Sequence, residues 1–201
     1  MTSGIFMLVI LIFSVVIHEV AHGLAALSQG DKTAEYEGRL TLNPIKHMDL
    51  YGSVIVPLIC YLLPGNLMFG WAKPVPYNPY NLRNGRWSEV FVAVAGPLSN
   101  ILIALLASVV VRTVGSGLPA ATVAILATIV AINLVLAVFN LVPLPPLDGS
   151  KIFMGIFPET YSKVRGWYDQ YGLLATFIFI FFIWQFFTPV IAFLYRLFLG
   201  V

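Results

Sequence analysis

The chain has 201 residues, 59% hydrophobic and 10% charged, whereas a soluble domain carries roughly 25% charged residues. That balance excludes an ordinary soluble domain and indicates an integral protein of the lipid bilayer. The net charge of +2, without any basic run, argues against nucleic acid as a partner, and the single cysteine, Cys60, excludes an intrachain disulfide.

A membrane-crossing helix needs roughly 20 apolar residues. The first stretch that qualifies is 4–27. It is too long for a signal-peptide core and lacks a basic start, so it reads as a retained span. Inside it, residues 18–22 are His-Glu-Val-Ala-His. The polar stretch 31–50 follows, where Ala34, Tyr36, Gly38, Leu40 and Leu42 alternate with Glu35, Glu37, Arg39 and Thr41. This period of two predicts a strand or small β-hairpin. Residues 52–69 are apolar but short, and Pro57, Pro64 and Gly65 interrupt them, so they either cross or re-enter. Residues 73–87, rich in Pro, Asn and Tyr, read as an irregular loop. Spans are expected at 88–111 and 119–142. Residues 150–171 are polar and include a short surface helix. A last span at 172–199 is interrupted by Thr188-Pro189, giving a kink or two helices. The prediction is an all-α polytopic membrane protein. It forms one domain over 1–201, with a core over about 4–150 and a C-terminal helix or helical hairpin within 151–201.

His18 and His22 are four residues apart, so on a helix both imidazoles leave one face and can share a metal ion. Glu19 beside them can act on a metal-bound water. Ionisable groups inside a span are costly and read as functional by default. A catalytic zinc site has three protein ligands and an open position, so a third ligand is required. His47 and Asp49 are candidates, and so is Asp148, which follows the prolines Pro143, Pro145 and Pro146. Depth favours Asp148. The histidines lie about 21–27 Å along the first helix at ~1.5 Å per residue. If 52–69 does not cross, Asp148 emerges at that same end. The non-crossing arrangement also gathers Lys32, Arg39, Lys46, Lys73, Arg83, Arg86, Lys151, Lys163 and Arg165 on the site's side. Arg112 and Arg196 are left on the other. By the positive-inside rule the site then faces the cytoplasm.

These residues resemble the site-2 protease family of intramembrane zinc metalloproteases. His18-Glu19-Val20-Ala21-His22 matches its first motif. Asn140, Pro143, Asp148 and Gly149 match its Asn-x-x-Pro-x-x-x-x-Asp-Gly motif, and Ala95-Gly96-Pro97-Leu98-Ser99-Asn100 looks like its central core helix. The resemblance implies one Zn2+ held by His18, His22 and Asp148, with Glu19 as general base, in a three-helix catalytic core. It also implies that Asn140 holds the substrate backbone. The sequence is expected to depart from many relatives in lacking a PDZ domain, a paired cystathionine-synthase-type domain and a helix ahead of the motif helix. The expected activity is hydrolysis of peptide bonds in transmembrane segments of membrane proteins, in a multi-pass protein of the plasma membrane. A substrate must be held extended for cleavage, and an edge strand over 36–42, with Tyr36, Leu40 and Leu42, is the expected holder. A membrane zinc transporter would use the same ligands but needs polar residues along a path through the later spans, and these are sparse. A non-catalytic scaffold is expected to lack Glu19 or a ligand, and all four are retained. Gly96, Pro97 and Asn133 read as helix-packing residues.

Overall fold

The computed structural model describes residues 4–56, 58–59 and 71–201. These residues form helices and loops, with no strand among them. Four helical stretches are long and apolar enough to cross a membrane: Gly4–Ser28, Arg86–Gly117, Ala120–Asn140 and Pro158–Leu199. The expectation of an all-α polytopic membrane protein is met to that extent.

Helix α1 (Gly4–Ser28) is apolar apart from the His18–His22 motif and a few small polar residues, and it contains no proline. At ~1.5 Å per residue it is about 37 Å long, enough for a hydrocarbon layer of about 30 Å. After the single turn α2 (Thr33–Tyr36) comes α3 (Arg86–Val114), the central helix. It packs against α1, α4 (Ala120–Asn140), α5 (Asp148–Ile156) and α7 (Thr188–Leu199). In lipid, apolar burial does not drive helices together; close contact and interhelical hydrogen bonds do. The buried face of α3 fits this, with small residues recurring every three or four positions at Ala93, Gly96 and Pro97, Asn100, Ala104, and Ala107 and Ser108. Antiparallel packing brings His22 to Val92 and Ser14 to Asn100, so α1 runs counter to α3. Helix α4 returns alongside α1 and ends near the histidines.

Pro143, Pro145 and Pro146 end α4, because a helix cannot continue through residues without N–H donors. Gly149 lets the chain turn sharply into α5. A Cβ there would strike the carbonyl oxygens of Leu141 and Val142. Helix α6 (Pro158–Ile178) supports this turn: the Tyr168 hydroxyl donates to the Pro143 carbonyl (2.6 Å) and the Thr176 hydroxyl to that of Pro145. α6 begins well before the expected span at 172. Pro158 fits the first helical turn, where its missing N–H costs nothing, and the polar residues that follow stay helical. The expected break near Thr188-Pro189 is present. Irregular turns at Phe179–Ile183 and Trp184–Phe187 precede α7, with Pro189 in its first turn. At the far end of the bundle, Arg112 donates to the Leu197 carbonyl (3.4 Å).

The hairpin expected over 31–50 does not form, because local turn chemistry outweighs the weak alternation. Asp31 accepts hydrogen bonds from the Thr33 amide and hydroxyl, which favours a helical turn. Gly38 has φ +62°, a conformation that strands exclude. Asn43 caps a tight turn over Pro44–His47. The strand edge over 36–42 is therefore absent. Tyr36 ends α2 with its side chain in the open (80% exposed), Leu42 is exposed, and Leu40 lies over Gly23 of α1. The expectation for 52–69 falls largely on residues 57 and 60–70, which lie outside the described residues. The described ends of that stretch meet. The Trp71 amide donates to the Gly52 carbonyl (3.0 Å), the Ser53 hydroxyl to the Trp71 carbonyl (2.9 Å), and the Lys73 amide to the His47 carbonyl (2.9 Å). Residues 47–53 and 71–73 thus lie side by side.

Asp31 also ties this region together. Its carboxylate accepts from the Asn78 amide (2.7 Å) and the Asn81 side chain (2.9 Å) as well as from Thr33. Burial pushes the Asp31 carboxyl up, but hydrogen bonds from Thr33, Asn81 and Asn78 outweigh it and hold the pKa below the ordinary value. A carboxyl whose folded pKa is depressed contributes stability above its unfolded pKa of about 3.9 and loses it as pH falls through the folded value. Proteolytic cutting within 79–86 should therefore rise as pH drops below about 4. In Asp31→Asn the cutting should be faster at neutral pH and depend less on pH.

Candidate metal centre

His18 and His22 leave the same face of α1, one turn apart. Their rings stand nearly perpendicular (86°), with centroids 4.7 Å apart. The two Nε2 atoms are 3.1 Å from each other, and they lie 3.1 and 3.2 Å from Asp148 Oδ2, which the proline turn delivers from the start of α5. All three residues are buried. Each ring nitrogen facing away from this point meets an oxygen that accepts: His18 Nδ1 meets Asn100 Oδ1 at 2.6 Å and His22 Nδ1 the Val92 carbonyl at 2.7 Å. Each Nδ1 therefore carries the proton and donates, and each neutral ring keeps its lone pair on Nε2, aimed inward.

Two lone pairs and a carboxylate oxygen thus converge on one point. Asp148 contributes the carboxylate oxygen of the set, 3.1 and 3.2 Å from the two imidazole nitrogens. Ligands at ~2.0–2.1 Å in a tetrahedron lie about 3.3–3.4 Å apart, close to the separations found. The nitrogen and oxygen donors suit zinc. Among the described residues this is the one group of three metal-ligating side chains so close together. His47 and Asp49, the other candidate third ligands, are elsewhere. His47 Nε2 donates to the Thr41 carbonyl (2.8 Å), and Asp49 caps the wide turn over Leu50–Ile55 by accepting from the Gly52 amide (2.7 Å).

Glu19 lines the same cavity, which measures about 130 Å³ and is shared with Pro74, Val75, Tyr77, Asn140 and Lys151. Its Oε2 accepts the Val75 amide at 2.7 Å. The stretch 71–78 passes the site without regular secondary structure, and buried Arg39 clasps the Lys73 and Pro74 carbonyls (2.8 and 3.3 Å). Lys151 sits 5.0 Å over the Tyr77 ring, a cation–π contact on the cavity wall. Asn140 faces the cavity while its amide donates to the Leu136 carbonyl (3.0 Å). Tyr36, Leu40 and Leu42 do not line it.

The model of peptidase family M50 matches residues 6–122 and 110–184. The chain belongs to peptidase family M50. "Putative zinc metalloprotease YwhC" of Bacillus subtilis is 37% identical over 177 residues, 85% of this chain and 77% of the relative. "Putative zinc metalloprotease Rip2" of Mycolicibacterium smegmatis is 30% identical over 148 residues, 73% of this chain and 56% of that relative. A Synechocystis relative, "Putative zinc metalloprotease sll0528", is 29% identical over 153 residues, which cover 76% of this chain and 31% of its own length. The chain thus spans about half the length of the mycobacterial relative and about a third of the cyanobacterial one. No solved structure matches. The M50 chain is a zinc metalloprotease of the site-2 protease family, and His18, His22 and Asp148 form its candidate zinc site.

Two residues of this M50 site were read only as packing or passed over. A Cβ at Gly96 would overlap His22 Nε2 and the His18 ring, so the centre needs a glycine where α3 crosses the histidines. Asn100, fully buried, faces His18 Nδ1. Both lie in Ala95-Gly96-Pro97-Leu98-Ser99-Asn100, whose spacing places them one turn apart on one face. Their roles depend on what α3 meets, which the pattern does not state.

Proposed function

We propose that this chain is an intramembrane zinc endopeptidase that hydrolyses peptide bonds in transmembrane segments of other membrane proteins. The observation that carries this reading is a buried His18–His22–Asp148 triad with Glu19 beside it, built from helices long and apolar enough to cross a bilayer. His18, His22 and Asp148 are the metal ligands. When bound, zinc supplies a Lewis acid that polarises a carbonyl and acidifies water. Glu19 is the general base. Val75 holds one carboxylate oxygen, and Glu19, which lines the cavity, takes a proton from the attacking water with the other and passes it to the leaving amine. Asn140 holds the substrate backbone from the cavity wall. Residues 1–201 form one membrane-embedded domain, placed in the plasma membrane. Its site faces the cytoplasm, a reading supported by the basic residues around the site end and by Arg112 at the opposite end.

The test uses the purified protein in lipid and single-span candidate substrates. Cleavage should stop when a chelator strips the metal and return when one equivalent of zinc is restored. Cleavage that persists in the metal-free protein, or zinc binding without cleavage of any single-span protein, would refute the reading. Zinc flux across the vesicle wall would favour a transporter.

A further inference from the structure

Three polar side chains sit deep among α1, α3 and α4, on the side of His18 away from the cavity. Asn100 and Asn133 have no exposed surface, and Ser14 is 4% exposed. They are linked in order. The Asn133 side-chain amide donates to Ser14 Oγ and to the Ile129 carbonyl, both at 2.9 Å. The Asn100 amide donates to Asn133 Oδ1 at 2.9 Å and approaches the Ser14 carbonyl at 3.4 Å. Asn100 Oδ1 is left facing His18 Nδ1 at 2.6 Å. Ser14 is one helical turn before His18, so the chain of bonds leaves α1, crosses α4 and α3, and returns to α1.

The direction of this chain is fixed by its ends. The Ile129 and Ser14 carbonyls can only accept, so the NH2 group of Asn133 must face Ile129 and that of Asn100 must face Ser14 and Asn133. Each carboxamide therefore turns its oxygen the other way, and the last oxygen meets His18. An oxygen that only accepts there keeps the proton on Nδ1 and the lone pair on Nε2. His22 obtains the same arrangement from the Val92 backbone, which no side-chain substitution removes. His18 depends on side chains alone.

We propose that Asn100 is a positioning residue that fixes the orientation and tautomer of His18 for zinc. Asn133 and Ser14 hold its carboxamide in the required direction. This rests on the zinc-site reading above.

The experiment measures the zinc dissociation constant of the purified protein in detergent by competition with a chelator. Asn100→Leu, with the same branching and as many side-chain heavy atoms but without an acceptor, should bind zinc about 10–100-fold more weakly than wild type, the usual cost of losing such a partner. Asn100→Asp keeps the acceptor for His18 but loses the amide that bonds Asn133. It should hold zinc at least as tightly as wild type. Asn133→Leu frees the Asn100 carboxamide and should fall between them. If Asn100 served only to link the helices through its amide, Asn100→Asp would lose zinc as badly as Asn100→Leu, and that result overturns the proposal. So does wild-type affinity in a folded Asn100→Leu. If Asn100→Leu does not fold, Asn100→Asp and Asn133→Leu still decide. Failure of the wild-type chain to bind one equivalent of zinc would instead sink the zinc-site reading itself.

Discussion

Glu19→Gln should lower the rate of substrate cleavage by about 10²–10⁴-fold while leaving zinc content at one per chain, because the change removes general base catalysis and little else. Glu19 is not in the triad whose ligand atoms converge. The glutamine amide keeps the length of the side chain, and its oxygen can still accept the Val75 amide that now bonds Oε2 at 2.7 Å. The loop over 71–78 should therefore stay in place. What is lost is a carboxylate oxygen able to take a proton in the cavity. Single-turnover cleavage of a single-span substrate, with zinc measured on the same sample, separates the two effects. Wild-type cleavage by Glu19→Gln would remove Glu19 from the mechanism. Loss of zinc would instead assign it to the metal.

How much of this was legible in the chain depended on range. The His18–His22 pair lies within one helical turn, so its spacing alone puts both rings on one face. Asp148 is 130 residues from His18 in sequence, yet topology and depth brought it to the same end, because spans are long, few and rigid. The expected hairpin over 31–50 failed for the opposite reason. In a short polar stretch, one Asp–Thr contact and one glycine at positive φ outweigh a faint alternation. The loop that passes the cavity is 71–78, a proline-rich stretch without the alternation that strand rules seek. Gly96 and Asn100 were visible as residues and not as roles. A small residue on a buried helix face signals close approach to something, and only the packing identifies the imidazoles as that something.

That close approach makes Gly96→Ala the second substitution with a large expected effect. A methyl group on Gly96 would occupy space now filled by His22 Nε2 and by the edge of the His18 ring. Neither ring can simply tilt away, because Asn100 holds His18 and the Val92 carbonyl holds His22 from behind. The alternative is for α3 to move outward. That would pull Asn100 from His18 and open the contacts of Val92 and Ala93, each 1% exposed. Both responses displace Nε2 from the point where Asp148 Oδ2 meets it. Since losing a partner behind a ligand already costs about 10–100-fold in metal affinity, moving the ligands themselves should cost at least the upper end of that range. Cleavage at limiting zinc should fall in proportion, and saturating zinc should restore it only in part, because the ligands remain misplaced. Gly166→Ala in α6 is the matched control. Nothing lies near a Cβ there, and alanine is favoured over glycine inside a helix by up to ~1 kcal/mol, so zinc affinity should be unchanged. Equal zinc affinity in Gly96→Ala and Gly166→Ala would mean that the centre does not depend on the contact between α3 and the two histidines.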